Sequence, residues 1–185
     1  MSGRTVGHRV TEEWMGSQVV TLEDLLRPSL RVVCIGINPA PRSVTAGHYY
    51  QGRLGQAFYT RLRRVGLLAH GPGWEDDLAW VNGVGFTDIV KRPTASAKDV
   101  RPEEFEHGRD LLVAKLERAG PQLALFTFKK TAEVLFGRID GCGLVARLEL
   151  GGAPVFVMPG PYAPRHEVDL KLRELARTVG SGAAG

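Results

Sequence analysis

The stretch LRVVCIGIN, residues 30–38, decides the fold. It is a near-continuous apolar run, the pattern of a strand covered on both faces. Working outward, strands and helices alternate. QAFYTRLRRVGLL (Gln56 to Leu68) predicts a helix with Phe58, Leu62 and Val65 on its apolar face and Arg61, Arg63 and Arg64 on the other. VGFTDIV (Val84 to Val90) predicts a second strand. Arg101 to Gly120 is the longest helix. Pro102 suits its first turn, Glu103 and Glu104 its positive end, and Gly120 the position just past its last turn. QLALFTF (Gln122 to Phe128) is a third strand, and Lys130 to Phe136 a short helix closed by Gly137. LVARLEL and APVFVMP are two strands joined by Gly151-Gly152, a hairpin signal that adds an antiparallel edge. His166 to Thr178 is a closing helix, with Val168, Leu170, Leu172, Leu175 and Ala176 as its apolar residues. On the N-terminal side, TLEDLLRP (Thr21 to Pro28) predicts a short helix capped by Thr21 and stopped by Pro28. Residues 1–20 predict a loose arm, 21–178 a single domain, and 179–185 a small-residue tail. The alternation predicts an α/β fold: one three-layer αβα domain around a mostly parallel twisted sheet.

Composition narrows the function classes. The chain has 185 residues, one domain's worth, with 43% hydrophobic and 24% charged residues, an ordinary globular balance. Lys and Arg number 24 against 20 Asp and Glu, so the net charge is +4, which permits a polyanionic partner without requiring one. No apolar run approaches the roughly 18 residues of a membrane span. The N-terminus lacks the apolar core of a signal peptide. Cys34 and Cys142 lie outside any CxxC pattern, and the five histidines are scattered, with no pair at helical spacing. The expectation is a metal-free, cofactor-free protein of a reducing compartment.

In open α/β sheets, sites form where strands end. Three strand exits stand out: Gly36 to Tyr50, Thr87 to Asp99, and Met158 to Arg165. Each is rich in Pro, Gly and small polar residues, and each carries a basic residue. Pro39 holds Asn38 in extended geometry, so its amide is either a fixed functional group or an ordinary Asn-Pro turn. The adjacent Tyr49 and Tyr50 offer either a stacking surface for a planar base or a lid on the helix below. Asp88 sits in an apolar strand pattern, where a carboxylate needs a partner or a raised pKa; Lys91 and Arg92 are near enough to pair with it. KRPTASAK has the basic groups and hydroxyls of a phosphate-positioning loop, or of a solvated basic loop. MPGPYAPR is a stiff, proline-rich loop ending in Arg165: either a wedge for a base stack or a rigid connection.

GINPAPRSVTAGHYY, GFTDIVKRPTASAKDV and MPGPYAPR resemble, in order and at compatible spacing, the three active-site motifs of the mismatch-specific uracil- and thymine-DNA glycosylases. The resemblance spans Leu22 to Leu175. It implies a uracil-DNA glycosylase-like fold and hydrolysis of the N-glycosidic bond of uracil, thymine or a damaged cytosine opposite guanine, after base flipping. It implies that Asn38 positions the attacking water, and that Gly36, Ile37 and Pro39 border the base, with backbone N–H groups near Ile37 and Asn38 facing the leaving anion. Tyr50 is implied as the stacking aromatic. Lys91, Arg92, Thr94 and Lys98 are implied as DNA contacts. Tyr162, Ala163, Pro164 and Arg165 match the loop that fills the gap in the duplex. The implied partner is double-stranded DNA, engaged by a monomer that needs no metal or cofactor. The implied setting is the cytoplasm with its nucleoid, or a nucleus. Two residues depart from the usual pattern: Ala40 stands where a glycine is common, and Asp88 where Asn, Lys or Asp occurs. Asp88 is therefore a second catalytic group or a determinant of base preference. A different class of reading is a catalytically weak mismatch-binding module. An ordinary nucleotide-binding enzyme is disfavoured, since neither GxGxxG nor GxxxxGK[ST] is present.

Overall fold

Five strands form the central sheet in the order β4-β3-β5-β7-β6: β3 Val32–Gly36, β4 Val84–Asp88, β5 Ala124–Phe126, β6 Gly143–Leu150 and β7 Ala153–Val157. β4, β3, β5 and β7 are mutually parallel, and β6 returns antiparallel to β7 as the edge. The computed structural model describes residues 6–181, so the outer parts of the expected arm and tail, 1–5 and 182–185, lie outside the described residues.

The apolar run of β3 divides cleanly between two cores because successive side chains alternate across a strand. Val32 and Cys34 join a cluster with Phe58 and Leu62 of α2 (Arg53–Arg64), Ala79 of α3 (Glu75–Val81), and Val168, Leu172 and Leu175 of α6 (Arg165–Ser181). Val33 and Ile35 join the opposite cluster with Leu112 and Leu116 of α4 (Pro102–Ala119) and Ala132 and Leu135 of α5 (Lys129–Phe136). The result is the expected three-layer αβα arrangement. Pro102 opens α4, and Gly120, at φ 53°, closes it. In α6 the apolar face is narrower than its composition suggests, for Leu170 is 57% exposed. Among the described residues no helix is long and apolar enough to cross a membrane.

Two N-terminal expectations are corrected. The loose arm is a β-hairpin from residue 9 on: β1 (Arg9–Trp14) pairs with β2 (Ser17–Leu22) around Met15-Gly16, both at positive φ, the geometry of a two-residue hairpin turn. The hairpin is anchored by Trp14, which is buried, donates to Glu104 Oε1 at 3.1 Å and meets the His107 ring edge-on. The expected helix at Thr21–Pro28 does not form. Thr21 and Leu22 finish β2, and Leu25 exchanges two backbone hydrogen bonds with Phe86. β4 is the outer strand of the sheet, and Leu25 satisfies backbone groups on its open side; that tertiary demand outweighs a local capping signal. Two short helices also escaped the sequence reading, α1 (Pro41–Ala46) and α3.

Glu104 ties the hairpin to α4. Its carboxylate receives a two-point contact from Arg92 (2.8 and 2.6 Å), the Arg101 N–H and the Trp14 indole. The Arg92 hydrogen bonds, opposed by burial, hold it down to about 2. Glu104→Ala leaves an indole N–H and a guanidinium without their acceptor. It should cost about 3 kcal/mol in urea unfolding at pH 7, against a near-neutral effect for the exposed Glu103→Ala.

Candidate active site

The C-terminal ends of β3, β4 and β5 open into a cavity of about 440 Å3. The parallel register sets Gly36 opposite Asp88 at its floor. Ile37, Asn38 and Pro39 form one side, Tyr49 and Tyr50 another, and Thr94, Thr127 and Phe128 a third.

Asn38 is fixed in one orientation. Its Nδ2 donates to the Arg92 carbonyl at 3.0 Å and to Thr94 Oγ1 at 2.8 Å. A carbonyl can only accept, and the Thr94 hydroxyl spends its own proton on the Ser96 carbonyl at 2.7 Å, so both neighbours demand the amide's N–H side. The side-chain oxygen is left without a protein donor among the described residues. The Ile37 and Asn38 N–H groups likewise lack an acceptor there. Ala40, where a glycine is common, has an ordinary extended backbone (φ −76°, ψ 146°) and starts α1, so a Cβ costs this loop nothing.

Asp88 is 3% exposed, and its Oδ1 is enclosed without a hydrogen-bond partner. Lys91 and Arg92, expected near it, bond elsewhere. Burial, reinforced by Asp24 and opposed by Lys91 and Lys115, pushes the Asp88 carboxyl up from 3.8 to about 7. Near neutral pH it is therefore divided between an acid that donates and accepts and a carboxylate that only accepts. Tyr50 stands beside it. A Cβ at Gly36 would run into Asp88 Oδ1 and lie 3.3 Å from the Tyr50 hydroxyl, so glycine is what leaves room for both groups over the strand end, where neither oxygen has a hydrogen-bond partner among the described residues. Tyr50 holds φ 57°, a conformation uncommon for a non-glycine residue, and packs among Tyr49, Phe58, Tyr59 and Phe86 at centroid distances of 5.5 to 5.9 Å. Both tyrosines border the cavity, but Tyr49 is a fully buried core residue and Tyr50 is the more open of the two.

The basic loop after β4 is largely turned inward, so three residues implied as DNA contacts have partners inside the fold. Lys91 is buried and donates to the Leu22 carbonyl and to Asp24 (3.0 Å), with Glu12 at 3.4 Å. Burial alone would favour its neutral form, but these carboxylates hold it protonated. Arg92 is committed to Glu104 and to the Asp99 carbonyl. Thr94 is buried and serves Asn38. Lys98 stays exposed.

In the last loop Tyr162 is 78% exposed, Pro164 and Arg165 are exposed, and Ala163 packs on the core. This loop does not line the cavity, but Arg53 on the rim reaches the Tyr162 hydroxyl at 3.3 Å. Arg61, expected on the outer face of its helix, is buried instead. Its guanidinium donates to the Pro159 carbonyl at 2.5 Å and the Gly160 carbonyl at 3.0 Å. The sequence reading also missed Thr127 and Phe128. The strand-end rule, applied to β5 as to β3 and β4, points to FTFKKT directly.

The Asp88 shift fixes a pH dependence. In the unfolded chain this carboxyl ionises near its ordinary 3.8, whereas in the fold it keeps its proton to about 7. Between those values the folded state binds the extra proton, so stability falls as pH rises and the full cost is present above about 7. Asp88→Asn should therefore be nearly neutral at pH 4 and stabilising by roughly 3–4 kcal/mol at pH 8, measured by urea denaturation at both values.

A family model described as the uracil DNA glycosylase superfamily matches residues 23–169, well over half of the chain, and takes in all three strand exits, of which the first two line the cavity. With that match added to a mostly parallel αβα sheet and a cavity at its strand ends, the chain belongs to the uracil DNA glycosylase superfamily.

Proposed function

We propose that this protein is a monofunctional DNA glycosylase that removes uracil mispaired with guanine from duplex DNA, admitting thymine or a damaged cytosine as its pocket allows. The observation that carries the reading is the locked Asn38 amide, which lines a cavity roomy enough for a flipped nucleotide and whose side-chain oxygen has no protein donor among the described residues. An amide is too weak a base to ionise water near neutral pH, but it orients one. Such a site suits a reaction in which the C1′–N1 bond breaks ahead of attack and an oxocarbenium-like sugar collects the water. The base first departs with the C1′–N1 bonding electrons, and its negative charge meets the Ile37 and Asn38 N–H groups; the water oxygen then bonds to C1′ and its surplus proton passes to the departed base or to solvent, leaving a 1′-hydroxyl. Among the described residues no lysine lines the cavity, which favours hydrolysis over a Schiff-base route that nicks the strand.

Tyr50 supplies a stacking face. A neutral Asp88 both donates and accepts, which suits the adjacent O4 and N3–H of uracil or thymine; ionised, it accepts only from N3–H. DNA contact falls to the exposed Lys98, Tyr162, Pro164 and Arg165, joined by Arg53 at the rim. The G:U and G:T specificity and the flipping of the base rest on the resemblance of the three loops to the mismatch-specific branch.

The test is base release from end-labelled duplexes carrying one G:U or G:T pair, followed by hot alkali. Wild type should generate alkali-labile sites at G:U, and Asn38→Ala should lower the single-turnover rate by about 100-fold. Cleavage that survives Asn38→Ala moves the water-directing role to Asp88. Binding of the duplex with no release by wild type favours the binding-module reading. Thr94→Val removes one of the two acceptors that orient Asn38 without touching the cavity oxygen. It should lower kcat about tenfold while leaving KM unchanged, as expected of a positioning residue.

A further inference from the structure

Away from the cavity mouth, the fold gathers residues that are far apart in sequence. His8, in the turn before β1, and His48, in the α1–α2 connection, meet Asp76 and Asp77 in the first turn of α3. One ligand atom from each lies within 4.8 Å of all the others. His8 Nε2 is 2.7 Å from Asp77 Oδ1. His48 Nδ1 is 2.9 Å from Asp76 Oδ1 and 4.0 Å from Asp77 Oδ2. We propose that this cluster is a structural metal site that binds one divalent transition ion, zinc foremost, through His8, His48, Asp76 and Asp77.

The charge balance supports it. Asp76 is fully buried, Asp77 adjoins it, and among the described residues no Lys or Arg lies within ion-pair distance of either carboxylate. As metal ligands both imidazoles are neutral, so with the two carboxylates the donor set carries −2, which one divalent ion cancels. The spacing also fits. Ligand atoms around a tetrahedral zinc with bonds of about 2.0–2.1 Å stand roughly 3.3 Å apart, and the observed separations bracket that value. Coordination replaces two hydrogen bonds and needs only that each histidine carry its proton on the other ring nitrogen. Two nitrogen and two oxygen donors select a borderline ion. Calcium and magnesium favour six or more oxygens.

The surroundings are built as a support for such ligands. Asp76 Oδ2 accepts from the Tyr49 N–H at 2.8 Å, and Oδ1 from the Asp77 N–H at 3.1 Å. The His48 ring stacks on Trp74 at 4.3 Å and meets the His8 ring edge-on at 5.2 Å. The His8 N–H donates to the Gly47 carbonyl, and Gly47 holds φ 76°, where a Cβ would strike the Val6 carbonyl. The site therefore joins the N-terminal turn, α3 and the segment that ends in Tyr50. Ion binding staples the back of the wall against which the base is to stack.

Tag-free protein is stripped with a chelator, dialysed and titrated with Zn2+, following bound zinc by mass spectrometry of the metal and Tm by calorimetry. Wild type should take up about one zinc per chain with a rise in Tm. The His8→Gln/Asp77→Asn double variant should lose both, and Co2+ should give the visible absorption of a tetrahedral site in wild type alone. Asp77 is half exposed, so the single Asp77→Asn keeps the comparison available if the double variant does not fold. Zinc uptake that is absent in wild type, or equal in the variants, overturns the proposal. Uptake of Ca2+ in preference to Zn2+ overturns it too.

Discussion

The parallel pairing of β3 with β4 is the constraint on which the site depends. Its register ends with Gly36 beside Asp88, so one strand delivers a carboxyl where its neighbour has no side chain. The next residues of β3 then turn outward as Ile37, Asn38 and Pro39, while Ile89 and Val90 donate back to the Gly36 and Ile37 carbonyls. The two strand ends are thereby laced together beyond the sheet, and Asn38 arrives above Asp88. Sliding one strand by a residue would invert every side chain along it and dissolve both cores with the site.

The fold divides its basic residues between two uses. Lys91 and Arg92 are consumed in bracing the loop they belong to: Lys91 against Asp24, Glu12 and the Leu22 carbonyl, Arg92 against Glu104. The bracing matters because Arg92 and Thr94 supply the two acceptors that orient Asn38. A loop held only by solvated charges would let that amide rotate. Lys98, Arg53 and Arg165 make no internal ion pair among the described residues, which leaves them for the phosphate contact of the proposed reading. A modest net charge of +4 thus understates how the charge is deployed, since part of it is neutralised inside.

Much of this was legible in the sequence. The apolar runs of β3, β4, β5 and β7 announce themselves because a doubly covered strand has no polar face. The ends of α4 are written by Pro102 and Gly120, and the β6–β7 turn by Gly151-Gly152. The first two strand exits could be read because proline and glycine fix backbone shape locally. What was not legible depends on partners remote in sequence. The β1–β2 hairpin is half exposed, so its alternation is faint, and its anchor, Glu104, lies 90 residues from Trp14. Lys91 and Arg92 looked like surface cations because Asp24, Glu12 and Glu104 become their partners only in the fold. His8 and His48 looked scattered for the same reason.

Arg61 carries that lesson into function. On its helix, two residues before Arg63 and three before Arg64, it looked like one more exposed charge. Burial of a guanidinium is unfavourable unless acceptors replace water, and here the Pro159 and Gly160 carbonyls do so. These residues begin the proline-rich loop that continues to Tyr162 and Arg165. A loop that is to enter a base stack must resist being pushed back by the duplex, and proline restricts its torsions without fixing its position. Arg61 fixes the position, on the same helix whose first residue, Arg53, borders the cavity and meets Tyr162. α2 therefore sets the distance between the pocket that would receive the base and the loop that would replace it in the stack. Flexible arms in either place would lose that spacing.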